Sequence, residues 1–265
     1  MSRDDGVVTV TLNRPERRNA ISSTMWGELL STFREIAAST TDRCVVVAGA
    51  GGAFCSGADL AGGERPGEER RPEGGEGRGE GRHQLSAMRY VNSVAVALHE
   101  LPQPTIAKVG GIAAGAGANL ALGCDLIVAG EDARFSEIFA RRGLTVDFGG
   151  TWLLPRLIGL HKAKELAFFA DILSARQAVD LGLVNRLVPM AELDDAVDEW
   201  ARRLASAAPI ALAQTKQMLN RSLEATFAEA LENEGWAQTV SVATEDAREA
   251  IGAFLAKRDP HFRGR

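Results

Sequence analysis

Hydrophobic and polar positions change period along this chain, and the changes divide it into elements. Gly6-Val-Val-Thr-Val-Thr-Leu12 alternates every second residue, as a half-buried strand does. Three short apolar runs, at about 44–49, 105–109 and 125–129, read as strands buried on both faces. Between them, 22–38 and 84–100 carry apolar residues at helical spacing. Strands alternating with helices predict βαβ units with right-handed crossovers, hence an α/β fold with a largely parallel sheet. From Thr151 onward the pattern is helical except for Leu183 to Val188. Leu193, Val197, Trp200 and Leu204 share one helix face, as do Ala211, Thr215, Met218 and Leu219. Pro209 fits the first turn of a helix, where its missing N–H costs little.

One stretch has no such pattern. Residues 62–82 are drawn only from Gly, Glu, Arg and Pro. With no apolar side chain to bury, the segment cannot offset its ordering entropy, and a mobile loop is expected there.

Composition removes several function classes. At 265 residues, 45% hydrophobic and 25% charged, the chain can bury a sizeable core. A net charge of -5 argues against nucleic acid or an anionic membrane as the main partner. Cys44, Cys55 and Cys124 are far apart, and the odd count disfavours a disulfide framework. Cys44 sits in an apolar strand and is expected in the core. The four histidines are scattered, so no metal site is expected. No charged-then-apolar leader precedes the first strand and no run of eighteen apolar residues occurs, which makes a soluble cytoplasmic protein the expectation.

The candidate chemistry lies where two strands end. After Thr105 to Val109 the chain passes through Gly111-Ile-Ala-Ala-Gly-Ala-Gly117 into a helical run. After Cys44 to Ala48 it passes through Ala53-Phe-Cys-Ser-Gly-Ala-Asp-Leu60. Small residues at a strand-to-helix junction leave backbone N–H groups uncovered at the positive end of the helix dipole. Two such bends can each give one N–H to a single carbonyl oxygen, holding negative charge as it develops there. A dinucleotide fingerprint does not fit, because its third glycine would fall at Leu120. Neither a phosphate loop nor a Gly-x-Ser-x-Gly elbow around Ser56 is present.

With these bends the chain resembles the crotonase (enoyl-CoA hydratase/isomerase) superfamily. The resemblance runs from about Val7 to Phe262. It is carried by Leu12-Asn-Arg-Pro-Glu-Arg-Arg-Asn-Ala20, Phe54-Cys-Ser-Gly-Ala-Asp59, Gly111 to Gly117, Cys124-Asp125, Gly149-Gly-Thr151, Phe254 and Lys257-Arg-Asp-Pro260. It implies a crotonase-like ββα spiral core over 1–190 and a C-terminal helical trimerisation region over 191–265. It also implies an acyl-CoA thioester substrate, with coenzyme A as part of the substrate and no further cofactor, and a homotrimer or homohexamer. The oxyanion donors would be the N–H groups of Ala58 and Ala116. Arg18, Ala20, Ser56, Asp59 and Leu60 match positions around the adenine and pantetheine arm. Phe254 and Lys257 match residues that relatives present across a subunit contact, the lysine meeting a phosphate. Residues 62–82 would then be either a solvated insertion, the reading their composition favours, or a lid whose five arginines meet CoA phosphate.

Where the carboxylates sit decides the reaction. Hydratases of this family use two glutamates to position water and move its proton. The first would fall at Asn119 and the second at Phe139; both are missing. If Ser136 to Arg142 is helical, Glu137 is rotated about 200° from Phe139, which makes it an exposed or capping residue. Asp147, flanked by apolar Val146, Phe148 and Trp152, matches the acid/base position of enoyl-CoA and ring-epoxide isomerases. Partial burial would raise its pKa and suit it to taking and returning a carbon-bound proton. Outside the resemblance, an aspartate before Gly149-Gly150-Thr151 reads as a turn or cap residue. Double-bond or ring-epoxide isomerisation through Asp147 is therefore the expectation. A hydratase with non-standard residues and a non-catalytic acyl-CoA binder are the alternatives.

Overall fold

The computed structural model describes residues 1–60 and 84–265; the low-complexity stretch 62–82 lies outside the described residues. The strands are β1 (Ser2–Asp4), β2 (Val7–Leu12), β3 (Cys44–Gly49), β4 (Thr105–Val109), β5 (Ile112–Ala114), β6 (Leu126–Gly130), β7 (Arg134–Ser136), β8 (Leu173–Ser174) and β9 (Arg186–Val188). The helices are α1 (Ser23–Ala38), α2 (Gln84–His99), α3 (Ala116–Leu122), α4 (Gly150–Phe169), α5 (Ala175–Asp180), α6 (Leu193–Ala205), α7 (Pro209–Arg221), α8 (Phe227–Ala243) and α9 (Glu245–Ala256).

One sheet runs in the order β1-β2-β3-β4-β6-β9, parallel from β2 onward, with β1 antiparallel at its edge. A second, small sheet runs β5-β7-β8. The large sheet is covered on both faces, which is why its strands read as continuous apolar runs. Val8, Val10, Leu12, Val45, Val47, Ala107 and Val109 join a core with Trp26, Phe33, Val94 and Leu120 from α1, α2 and α3. Cys44, Val46, Ile106 and Val128 face the other way, against Leu193, Val197 and Ala201 of α6. Thus α6, which the sequence pattern groups with the C-terminal helices, serves as the sheet's second cover.

Two expected strands shift. Asp125 stands just before β6, because its carboxylate accepts from the backbone N–H (2.7 Å) and hydroxyl (2.9 Å) of Thr105 at the start of β4. Leu183 and Val184 pack into the core beneath a turn, so only Arg186–Val188 pairs as strand. The two-residue β8 is too short to show a period.

Asn19 holds the connection around β3. It is fully buried, in a left-handed conformation (φ 56°) that asparagine tolerates better than most residues. Its side chain donates to the carbonyls of Ala50 (2.8 Å) and Ala53 (2.8 Å) and accepts from the N–H of Arg14 (2.9 Å). Orphaning a buried polar group costs about 1–3 kcal/mol. Asn19→Ala is expected to destabilise the fold by about 3 kcal/mol, since several such groups lose their partner together. Urea unfolding checks this, and a loss under about 1 kcal/mol would show that the loop holds without Asn19.

Candidate active site

The first bend is held from both sides. The N–H of Ile21 donates to Gly57 O (2.8 Å) and the N–H of Asp59 donates to Ile21 O (2.9 Å). Ile21 thus pairs in parallel with Ala58 by bonding the groups on either side of it. The N–H and C=O of Ala58 itself therefore point away from Ile21. Cys55 is fixed against β5, its N–H donating to Ile112 O (2.9 Å) and its carbonyl accepting from Ala114 N (2.9 Å). Gly57 has φ 99°, and a Cβ there would lie 2.9 Å from Ala114 O and 3.7 Å from Ala116 N. The two bends are in contact.

The second bend turns on Gly115 (φ 54°, ψ −128°), a conformation glycine alone adopts readily. Its N–H donates to Ser136 O (2.9 Å), and α3 begins at the next residue. A Cβ on Gly117 would overlap the carbonyl of Cys55, so glycine there lets the helix seat on the first bend. Among the described residues, neither the Ala58 nor the Ala116 amide donates to a backbone carbonyl. The structure brings the two expected donors side by side.

Asp147 lies in the loop between a short 3-10 turn (Ile138–Arg142) and α4. Its backbone carbonyl accepts from Gly150 N (3.0 Å) and from the side-chain amide of Asn119 (3.0 Å). The next two residues, Phe148 (φ 49°) and Gly149 (φ 82°), are both left-handed. For a bulky residue this is strained by about 1–3 kcal/mol. Phe148 is held there by burial against Trp26, ring centroids 5.4 Å apart. Gly149, not Asp147, takes the N-cap position of α4. The Oδ1 of Asp147 is buried with no hydrogen-bond partner among the described residues. Desolvation raises its pKa to about 6.

Glu137 corrects the sequence expectation. It is 4% exposed, and its Oε2 accepts from Asn119 Nδ2 at 3.3 Å. Ser136 ends β7 and the 3-10 turn starts only at Ile138, so helical rotation does not apply to Glu137. Nor does its side chain form a cap hydrogen bond. Burial, above all, pushes its pKa to about 7; the Asn119 hydrogen bond opposes the rise and the Asp147 charge adds to it. Reading Arg134-Phe-Ser as a strand would have found it, since residue 137 then follows Phe135 by one strand period.

The remaining candidates divide by position. Arg18 and Ser56 meet at the first bend, Ser56 N donating to Arg18 O (3.0 Å). Ala20 is buried and Leu60 is exposed beside them. The Asp59 carboxylate, 8% exposed, pairs with Arg14 at 2.9 Å, so it braces the bend from within. Phe254 and Lys257, by contrast, face solvent at the end of α9, which packs on α8.

The sequence profile described as Enoyl-CoA hydratase/isomerase matches residues 2–265. The chain belongs to this family. Its crotonase fold is shared with an enoyl-CoA hydratase from Bacillus anthracis (TM-score 0.89, 32% identity), over 100% of this chain and 98% of that one. It is 38% identical to the 1,2-epoxyphenylacetyl-CoA isomerase of Escherichia coli (strain K12), over 99% of this chain and 97% of the relative. It is 35% identical to the 2,3-dehydroadipyl-CoA hydratase of the same strain, over 100% of this chain and 98% of the relative. An acyl-CoA substrate fits this family. Among the described residues, no helix is long and apolar enough to cross a membrane.

At the two positions matched to hydratase glutamates, Asn119 and Phe139 are both buried. Phe139 packs over the second bend, its ring 3.6 Å from where a Cβ on Gly115 would lie. Among the described residues, the carboxyls of Asp147 and Glu137 are the ones beside Asn119 whose pKa burial raises toward neutrality. Both carboxyls hold their proton more tightly folded than unfolded, so the folded state carries more protons as pH rises. Stability due to Asp147 is therefore lost between its ordinary 3.8 and about 6. Asp147→Asn, which cannot ionise, is expected to exceed wild type at pH 8 by on the order of 2 kcal/mol, and to lose that advantage at pH 4. Thermal unfolding across this range checks it; a variant less stable at pH 8 would show that the carboxylate is not desolvated.

Proposed function

We propose that this protein isomerises an acyl-CoA ester, moving a double bond or rearranging a ring epoxide, with Asp147 as the proton carrier. The N–H groups of Ala58 and Ala116 donate to the thioester oxygen, and negative charge on it is stabilised as the enolate forms. Loss of one such donor typically costs ~2.7–4 kcal/mol. For a 3-enoyl ester, the Asp147 carboxylate takes a proton from C2, and the electron pair moves onto the thioester oxygen through C1. The acid so formed then delivers the proton at C4 as the double bond moves to C2–C3. One carboxyl group suffices, because the same oxygen takes and returns the proton.

The observation that carries this reading is the Asp147 carboxyl itself: half-buried, its Oδ1 without a partner among the described residues, and raised to about 6. A base of that strength is charged at neutral pH yet binds a carbon-derived proton better than an exposed aspartate. The likeness to an epoxyphenylacetyl-CoA isomerase supports the same choice.

The test compares 3-enoyl-CoA, 2-enoyl-CoA and ring-epoxide CoA esters on wild type and Asp147→Asn. Isomerisation of a 3-enoyl or ring-epoxide ester is expected, falling by ~10²–10⁴-fold in the variant. Hydration of 2-enoyl-CoA that survives in Asp147→Asn would overturn the assignment. Tight acyl-CoA binding without turnover would mark a binder instead.

We further infer a trimer or a pair of trimers. Phe227 (80% exposed), Trp236, Phe254 (82%) and Leu255 lie bare on α8 and α9 of one chain, more apolar surface than an isolated copy keeps. In that assembly Phe254 and Lys257 would reach the CoA of a neighbouring copy. Light scattering is expected to give three or six times the 28.2 kDa chain mass; a monomer at micromolar concentration would overturn this.

A further inference from the structure

Asn119 joins two carboxyl-bearing residues that lie on different segments of the chain. Its side-chain nitrogen carries two hydrogens, and both are used: one goes to Glu137 Oε2 (3.3 Å), the other to the Asp147 backbone carbonyl (3.0 Å). Asn119 is fully buried, and Gly150 presses on the same amide, since a Cβ there would stand 2.5 Å from both of its terminal atoms. The amide therefore has little room to turn. Its orientation is fixed by two acceptors on the one nitrogen, Glu137 among them, while Asn119 Oδ1 is buried without a partner among the described residues.

We propose that Glu137 is a positioning residue for Asp147: through Asn119 it fixes the loop that aims the Asp147 carboxyl, and the two carboxyls titrate as a pair.

The surroundings support the second half of this role. Among the described residues, no cation lies within ion-pairing distance of either carboxyl. The groups facing Glu137 are Asn119 from α3, Asp147 from the loop before α4, and Asp171, which shares a small cavity with it after α4. Asp171 is largely exposed and paired with Arg141 at 2.7 Å, so its charge is screened. Apart from Ser136, whose hydroxyl donates to Ala170 O, the rest of that cavity is apolar, with Ala118, Leu122, Phe135 and Leu154 on its wall. Two carboxyls in so dry a place do not ionise independently. Asp147, the less buried, is raised to about 6; deeper burial carries Glu137 to about 7, and the Asp147 charge adds to that rise. When Glu137 ionises, its charge strengthens the hold of Asp147 on a proton.

The kinetic part of the test rests on the isomerase reading; the titration part does not. Carboxyl ¹³C signals of Asp147 and Glu137 are followed by NMR from pH 4 to 9, assigned by Asp147→Asn and Glu137→Gln. The Asp147 signal is expected to move in two steps, the upper one coinciding with the Glu137 titration, and in one step in Glu137→Gln. A single Asp147 step in wild type, unchanged by Glu137→Gln, would overturn the proposal. In turnover of 3-enoyl-CoA, Glu137→Leu is expected to lower kcat by ~10–100-fold with KM within about 3-fold, and Glu137→Gln, which still accepts from Asn119, to recover most of kcat. Wild-type kcat in Glu137→Leu would equally overturn it. Should wild type turn over no 3-enoyl or ring-epoxide ester while the two-step titration persists, the isomerase reading fails and the coupling stands.

Discussion

The carbonyl oxygen of Cys55 occupies the place where a side chain on residue 117 would have to be, and this contact sets the spacing of the two bends. Helix α3 can seat against the first bend only because Gly117 has no Cβ. Gly57 permits the matching approach from the other side, close to Ala114 O and Ala116 N. The large sheet supplies the frame. Parallel β3 leads into the first bend, and β4 leads through the short β5 into the second, both beyond the C-terminal ends of the strands, where open α/β sheets place their ligand sites. Two backbone amides brought together in this way depend on this spacing rather than on side chains, and a single methyl group in the wrong place would widen it.

Charge is arranged by a similar economy. Two carboxyls share a site without a paired cation among the described residues, and one amide group from Asn119 spans the distance between their segments. Burial alone would raise both pKa values. Glu137, the more deeply buried, is raised further than Asp147, and the Asp147 charge adds to that rise. The strained backbone at Phe148 belongs to the same arrangement. Its left-handed turn brings the Asp147 carbonyl to Asn119, and the ring of Phe148 offsets the strain by burial against Trp26.

The fold was legible wherever a period was long enough to count. β2, β3 and β4, α1, and the apolar face of α6 all follow from it, and Pro209 does open α7. Both bends could be read too, because small Gly and Ala residues after a strand suit a close approach of backbone to backbone. The environment of Asp147 was half legible: its apolar neighbours foretold the desolvation, but the grip of Asn119 on its backbone comes from 28 residues away. Glu137 was misjudged because three residues are too few for periodicity to separate strand from helix. A short strand there turns a surface glutamate into a buried one. Asp59 shows the converse, a motif residue near a ligand position whose carboxylate is drawn inward by Arg14.

The C-terminal helices enter this chemistry by way of α4. Two residues into that helix, the Trp152 ring packs edge-on against His99 of α2 (5.2 Å) and lies under the Arg156 guanidinium (3.8 Å). Trp152 Nε1 and Arg156 Nη2 both donate to Glu224, in the connection between α7 and α8, at 3.2 Å each. Farther along, Lys216 of α7 pairs with Asp125 at 2.7 Å and donates to Gln103 O, locking the start of β4 and β6 to the same helix. The first turn of α4 is the anchor of the Asp147 loop, so the position of the Asp147 carboxyl depends on how α7 and the connection to α8 dock. Helices whose outer faces carry the exposed apolar residues therefore also brace, on their inner side, the segment that aims the carboxylate. Covering those outer faces with further copies would stiffen the brace.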